Sequence, residues 1–146
     1  IAKKNIHAKG LENRITTHAY DIAKDDFTGG KAYNYILLSN IIHFFSAAKT
    51  DRILKLCYRA LIPGGILIVN DVFPISGNIE TYCYSFMWMK DTGSLLLECE
   101  ELLIKLQAHG YCSPETHVLS NTPSTIIMTK KPMDFPGAAI GPTFKQ

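Results

Sequence analysis

Residues 33–73, YNYILLSNIIHFFSAAKTDRILKLCYRALIPGGILIVNDVF, decide the fold through the order of the patterns they contain. Residues 33–42 (YNYILLSNII) are a nearly continuous apolar run, which predicts a strand covered on both faces. Within residues 51–61, Ile53, Leu54, Cys57, Ala60 and Leu61 fall on one face of an α-helix, with Thr50 or Ser46 available as N-cap. Pro63-Gly64-Gly65 ends that helix and turns the chain. Residues 66–73 (ILIVNDVF) then read as a second buried strand. A strand, a crossover helix and a strand make a βαβ unit, whose strands are parallel.

Upstream, residues 2–9 carry three lysines and one large apolar residue, Ile6, and Gly10 follows where a helix C-cap glycine stands, so the segment reads as a short helix. Residues 14–20 (RITTHAY) are rich in β-branched residues and predict a strand. Downstream, residues 79–90 (IETYCYSFMWMK) are aromatic and methionine-rich almost all round, a composition suited to a buried helix or to the adaptable wall of a ligand pocket. Residues 98–109 place acids early, Lys105 and His109 late, Leu102, Leu103 and Leu106 on one side and Gly110 beyond the end, so charge order and cap agree on a helix. Residues 116–120 and 124–130 flank Asn121-Thr122-Pro123 and predict an antiparallel pair. From 132 to 146 three prolines and further glycines predict an irregular tail, although Phe135, Ile140 and Phe144 can dock on a surface.

The chain has 146 residues, 47% hydrophobic and 19% charged, the composition of one globular domain. Its formal charge of +2 and the absence of any basic run beyond Lys3-Lys4 and Lys130-Lys131 argue against a nucleic-acid partner. Cys57, Cys83, Cys99 and Cys112 are too widely spaced for paired zinc ligands or a dense disulfide framework, and predict reduced, mostly buried thiols of a cytoplasmic protein without a metal. The most apolar run, 66–73, is far shorter than the ~20 residues of a membrane-spanning helix. A lysine-rich start at Ile1 with no apolar leader reads as an interruption of a longer chain.

Taken in order, RITTHAYD (14–21), ILLSNIIHFFS (36–46), ALIPGGILIVNDVF (60–73), LLIKLQAHGY (102–111) and TIIMTKK (125–131) resemble the S-adenosylmethionine-dependent O-methyltransferases, both plant caffeate-type and bacterial small-molecule enzymes. The resemblance implies an α/β, Rossmann-like class I methyltransferase sheet with strand order 3-2-1-4-5-7-6, mostly parallel and closed by a C-terminal antiparallel hairpin. Residues 1–131 match its C-terminal part. The first two strands, with the glycine-rich turn and the ribose-binding acid of the cofactor site, have no counterpart, nor has a dimerisation region, so the sheet is truncated. A homodimer is implied for the full-length protein, and inactivity for this chain alone.

The resemblance also assigns roles. Asp21 matches the acid that reads the adenine edge, with Ile22 where the family usually has Phe or Met and Asp26-Phe27 as a rival match; a carboxylate suits an amine donor. Ser39 and Asn40, at the end of the family's fourth strand, fall on the cofactor side. His43 falls on the general base, since a phenol of pKa about 10 needs a base to free its lone pair for in-line methyl transfer. Asp71 matches the acid that orients that base, and an acid inside an apolar strand is costly unless paired. Phe44, Met87 and Trp88 fall on the substrate pocket. The family's Asp-Trp after the base is Phe44-Phe45 here, and its Arg-Glu-Arg stretch is Leu95-Leu96-Leu97, leaving Glu98 as the nearest second carboxylate. The expected activity is therefore methyl transfer from S-adenosylmethionine to a hydroxyl of a small aromatic molecule. The alternatives are a non-catalytic split or degenerate module that pairs through an exposed sheet edge, and, more weakly, a nucleotide-dependent oxidoreductase, whose sheet seldom ends in such a hairpin.

Overall fold

In the computed structural model, residues 1–74, 78–92 and 97–133 are described, and the sheet they build follows from the central βαβ pattern. Strand β1 (Tyr33–Ser39) leads through a single 3₁₀ turn (Ile42–Phe44) into helix α2 (Ala47–Ala60) and then strand β2 (Leu61–Val72), after the short helix α1 (Ala2–Ala8). Helices α3 (Ile79–Thr92) and α4 (Cys99–Ala108) precede the hairpin of β3 (Cys112–Val118) and β4 (Ser124–Lys130). The sheet order is β1-β2-β4-β3, with β1 and β2 parallel and the other pairs antiparallel. That order corresponds to the 4-5-7-6 half of the sheet implied by the resemblance.

One face of this sheet holds the core. Leu67 and Val69 of β2 and Ile127 of β4 pack with Ile53, Leu54 and Cys57 of α2 and with Leu102 and Leu106 of α4. All five residues expected on the inner face of the crossover helix are buried. Ser46 is the residue before the first turn, and Thr50 lies inside the helix. Helix α4 ends as its sequence dictates: Gly110, at φ 89°, lets its own N–H reach Gln107 O and the N–H of Tyr111 reach Leu106 O. This double bond pattern satisfies carbonyls the helix leaves open, and Tyr111 and Leu106 bury together beside it.

Several expectations change, among them the first strand of the hairpin, which runs from Cys112 to Val118 and not from 116 to 120. Residues 14–20 form no strand; they have no sheet neighbour, and β-branched residues without a partner strand gain no ladder bonds. β1 is covered on one face only: by the alternation of a strand Ile36 and Leu38 face the core, while Tyr35 and Leu37 on the other face are 66% and 61% exposed. α3 is not buried all round, since Ile79, Phe86 and Met87 are exposed. Of the four free cysteines only Cys57 is buried; Cys83 is exposed and Cys99 and Cys112 are half-buried. The tail lies outside the described residues from 134 onward, as do Leu95 and Leu96. Among the described residues no helix is long and apolar enough to cross a membrane.

Pro63-Gly64-Gly65 does not separate helix from strand. It forms a bulge within β2: Tyr33 opposes Leu61 but Tyr35 already opposes Ile66. The bulge is held from the far side by Gly64 N–H to Lys131 O and Lys131 N–H to Gly65 O, both 2.9 Å. A Cβ on Gly65 would stand 2.9 Å from Ile62 O and 3.2 Å from Tyr33 O, distances that only backbone movement relieves. Gly65→Ala is expected to lower stability by about 1–3 kcal/mol in urea unfolding; an unchanged midpoint would show that the bulge tolerates a side chain.

Burial pushes the Cys57 thiol up to about 12, so on the order of 10⁻⁴ of it is thiolate near pH 8. A maleimide added to the native protein should therefore modify exposed Cys83 and reach Cys57 only on unfolding. Equal labelling rates would contradict the packing of α2 against β2.

Candidate active site

Asp71 sits at the carboxyl end of β2 and is 1% exposed. Its Oδ2 accepts backbone N–H bonds from Ile41 at 3.1 Å, Ile42 at 2.8 Å and His43 at 3.4 Å, the donors at the start of the 3₁₀ turn that follows β1. Its Oδ1 lies 2.7 Å from Nδ1 of His43 and accepts the Val72 N–H at 2.9 Å. A buried carboxylate is tolerated when its lone pairs are filled, and bonds to a charged acceptor are the strong ones. Since an ionised carboxylate can only accept, this contact places a proton on Nδ1, and in the neutral ring the lone pair is then on Nε2.

The imidazole of His43, 7% exposed, is fixed on its faces as well. Trp88 of α3 stacks on it with ring centroids 3.8 Å apart and planes 9° from parallel, and Phe44 tilts against it at 4.1 Å and 48°. Asn78 places α3 for this contact: its Oδ1 accepts the N–H of Glu80 at 3.0 Å and of Thr81 at 3.4 Å, capping the helix start. Four of the residues singled out from sequence, His43, Asp71, Phe44 and Trp88, thus meet in one cluster.

The others lie apart from it. At the carboxyl ends of β1 and β2, Asn70 Nδ2 donates to Ser39 Oγ at 3.1 Å, and Asn40, with φ 51°, bonds through its N–H to Asn70 O at 2.8 Å. Asn70 Oδ1 is buried without a hydrogen-bond partner. Asp21 opens an exposed turn, accepting the Ala23 N–H at 3.1 Å and pairing with Lys24 at 3.0 Å, and the Lys24 ammonium holds its carboxyl below the usual carboxylate range. Arg52 of α2 ties that turn down, donating to the carbonyls of Ile22, Lys24 and Asp25, while Ile22 and Phe27 pack against the core. Thr28 donates through its hydroxyl to Asp26.

Glu98 stands at the start of α4 and is exposed. With Tyr82, Cys99, Leu103, Thr116 and Val118 it lines a cavity of about 500 Å³ between α3, α4 and the hairpin, which none of His43, Asp71, Phe44 or Trp88 lines. Met87 is 61% exposed on α3. Among the described residues no group of three His, Cys, Asp or Glu side chains is placed to hold a metal ion. Sequence reasoning did not find Asn70, for which its place beside Asp71 at a strand end was the available signal. It also missed the part of Ile41 and Ile42, whose backbone donors carry no sequence signal.

Residues 1–106 match the family model of the O-methyltransferase domain, and the chain belongs to that family. A curated relative, 3-hydroxy-5-methyl-1-naphthoate 3-O-methyltransferase of Streptomyces sahachiroi, is 32% identical over 72 residues, 49% of this chain and 20% of that protein. A crystal structure of a Nostoc punctiforme PCC 73102 protein assigned to the O-methyltransferases superposes with a TM-score of 0.79 at 25% identity, over 89% of this chain and 41% of that one. Human N-acetylserotonin methyltransferase in complex with S-adenosylmethionine gives 0.69 at 16% identity, over 84% and 37%. The chain therefore spans less than half the length of each of these proteins.

Asp71→Ala removes the acceptor of four backbone donors and of the imidazole at once. It should cost about 3 kcal/mol or more in urea unfolding, because those donors stay buried; a loss under about 1 kcal/mol would mean that the network is not what holds the turn.

Proposed function

We propose that the chain is part of an S-adenosylmethionine-dependent O-methyltransferase acting on a hydroxyl of a small aromatic molecule, residues 1–131 contributing the C-terminal part of its catalytic domain. The observation that carries this reading is the 2.7 Å contact of His43 Nδ1 with buried Asp71, in a chain of O-methyltransferase family. The naphthoate named for the curated relative carries such a hydroxyl, which supports the substrate class.

The cofactor reading rests on the carboxyl ends of β1 and β2, where open α/β sheets bind ligands. Asn70 Oδ1, buried there without a partner, offers an acceptor for an amine or ammonium hydrogen, with Ser39 and Asn40 beside it. Asp21, held ionised by Lys24, is suited to the exocyclic amine of adenine. When bound, the cofactor supplies a methyl group on a sulfonium. The C–S bond would break in that transfer and the sulfur leave as a neutral thioether, while the chain's own residues would manage the proton: His43 would take it at Nε2 from the substrate hydroxyl, and Asp71 would stabilise the imidazolium so formed. Trp88 covers a face of the ring and Phe44 tilts against it, whereas Glu98 and Met87, expected as second carboxylate and pocket wall, lie outside this cluster.

A second reading, a module that pairs with another chain instead of turning over, is favoured by the open edge of β1 with Tyr35 and Leu37 exposed. Calorimetry with S-adenosylmethionine and S-adenosylhomocysteine, on this chain and on a protein containing it, separates the two. The enzyme reading expects heat from the longer protein and a fall of about 10²-fold or more in turnover of a phenolic acceptor on His43→Ala. No heat from the longer protein would leave the pairing module, and an unchanged rate would remove His43 from the mechanism.

A further inference from the structure

We infer that Trp88 is a positioning residue for His43, which holds the imidazole by its face and stabilises its charged form, and is not a wall that only touches substrate. The inference deepens the reading of His43 as general base, although its test does not depend on turnover. Two neutral aromatic rings prefer offset or edge-on arrangements with centroids about 4.5–7 Å apart. His43 and Trp88 lie parallel, with centroids 3.8 Å apart and planes at 9°, closer than that range. An imidazolium formed at this place would lie over the electron-rich indole face, well inside the roughly 6 Å at which a cation is attracted to it.

The rest of the surroundings agree. Asp71 from β2 holds the edge of the imidazole at Nδ1, Phe44 from the same turn tilts against it, and Trp88 from α3 covers a face. Tyr84 backs Trp88 from its own helix at 5.5 Å. Among the described residues, Asp71 is the charged group facing His43 and Tyr84 the titratable one behind the stack. Asp71 fixes where the ring nitrogens point, but a hydrogen bond to one nitrogen leaves the ring free to rock about that bond. A parallel stack removes this freedom and fixes the direction of Nε2. Both contacts favour the imidazolium that proton abstraction creates.

The chain contains one tryptophan, so biosynthetic incorporation of fluorinated tryptophans alters Trp88 alone. Fluorine withdraws electron density from the ring face, weakening its hold on a cation, while nearly preserving shape. The readout is the pH titration of the assigned His43 ring resonances by NMR in the chain labelled at histidine, without cofactor or substrate. The ring protons are expected to be displaced upfield by the indole. The titration midpoint should fall stepwise with one, two and three fluorines and be lowest in Trp88→Leu, by about one pH unit, with Trp88→Phe between. If the Leu variant fails to fold, the isosteric fluorotryptophan series still decides. A flat midpoint across that series, or ring protons without upfield displacement, overturns the inference and leaves the methyl-transfer reading standing. A falling series upholds it even for a chain that turns nothing over.

Discussion

The carboxylate of Asp71 is the constraint on which the rest of the site depends. It is buried at the end of β2, and an unpaired charge there would be unfavourable by several kcal/mol. It is stable because the chain leaving β1 bends back over it, bringing the backbone donors of Ile41, Ile42 and His43 onto one oxygen and the imidazole onto the other. The bonds run both ways in consequence. They satisfy the first N–H groups of the 3₁₀ turn, which a helix start leaves without partners, and they fix where α2 begins its crossing. The path of the chain leaving β1 and the orientation of His43 are therefore tied to the same carboxylate.

Much of this was legible in the sequence, for a physical reason. Burial leaves a period: the helix face of Ile53, Leu54, Cys57 and Ala60 and the alternation through Leu67 and Val69 are imposed by a core that admits only those residues, so reading them back returns the βαβ unit. Caps are similarly local, as Gly110 and the helix it ends illustrate. What was not legible depends on neighbours. Residues 14–20 and 33–39 carry the same β-branched and apolar signal, yet one forms no strand and the other does, because only the second has β2 beside it. The exposed faces of Tyr35 and Leu37 likewise look in sequence like strand residues packed on both sides.

The candidate site divides along the same line. The pairing of His43 with Asp71 was implied by the family resemblance, and physics supports it, since an acid inside ILIVNDVF is costly without a partner and two parallel strand ends present one to the other. Trp88 could be placed on a helix but not on a face of it. Helix α3 is apolar around most of its circumference, so no stripe marks which side turns inward, and Ile79, Phe86 and Met87 point to solvent while Trp88 lies on the imidazole. Glu98, the nearest carboxylate in sequence to the expected second acid, stands at the mouth of a different cavity. Sequence proximity to a motif carries no information about the direction in which a helix start projects.

The proton-handling cluster is drawn from β2, the turn after β1, and α3, and each element restrains a different freedom of one ring. The carboxylate sets the tautomer and the direction of the Nδ1 edge, the backbone bonds fix the main chain that carries the ring, and the stack fixes its plane. The proposed cofactor contacts, by contrast, rest on scattered groups: one unpartnered amide oxygen at a strand end and an exposed carboxylate held by Lys24. The two halves of the proposed chemistry consequently differ in what they require. Orientation of the imidazole is internal to these residues, whereas the proposed cofactor contacts are divided between the ends of β1 and β2 and the turn at Asp21. An acid–base unit preassembled in this way gives up little conformational freedom when a substrate arrives, which is the condition under which a general base contributes fully to rate.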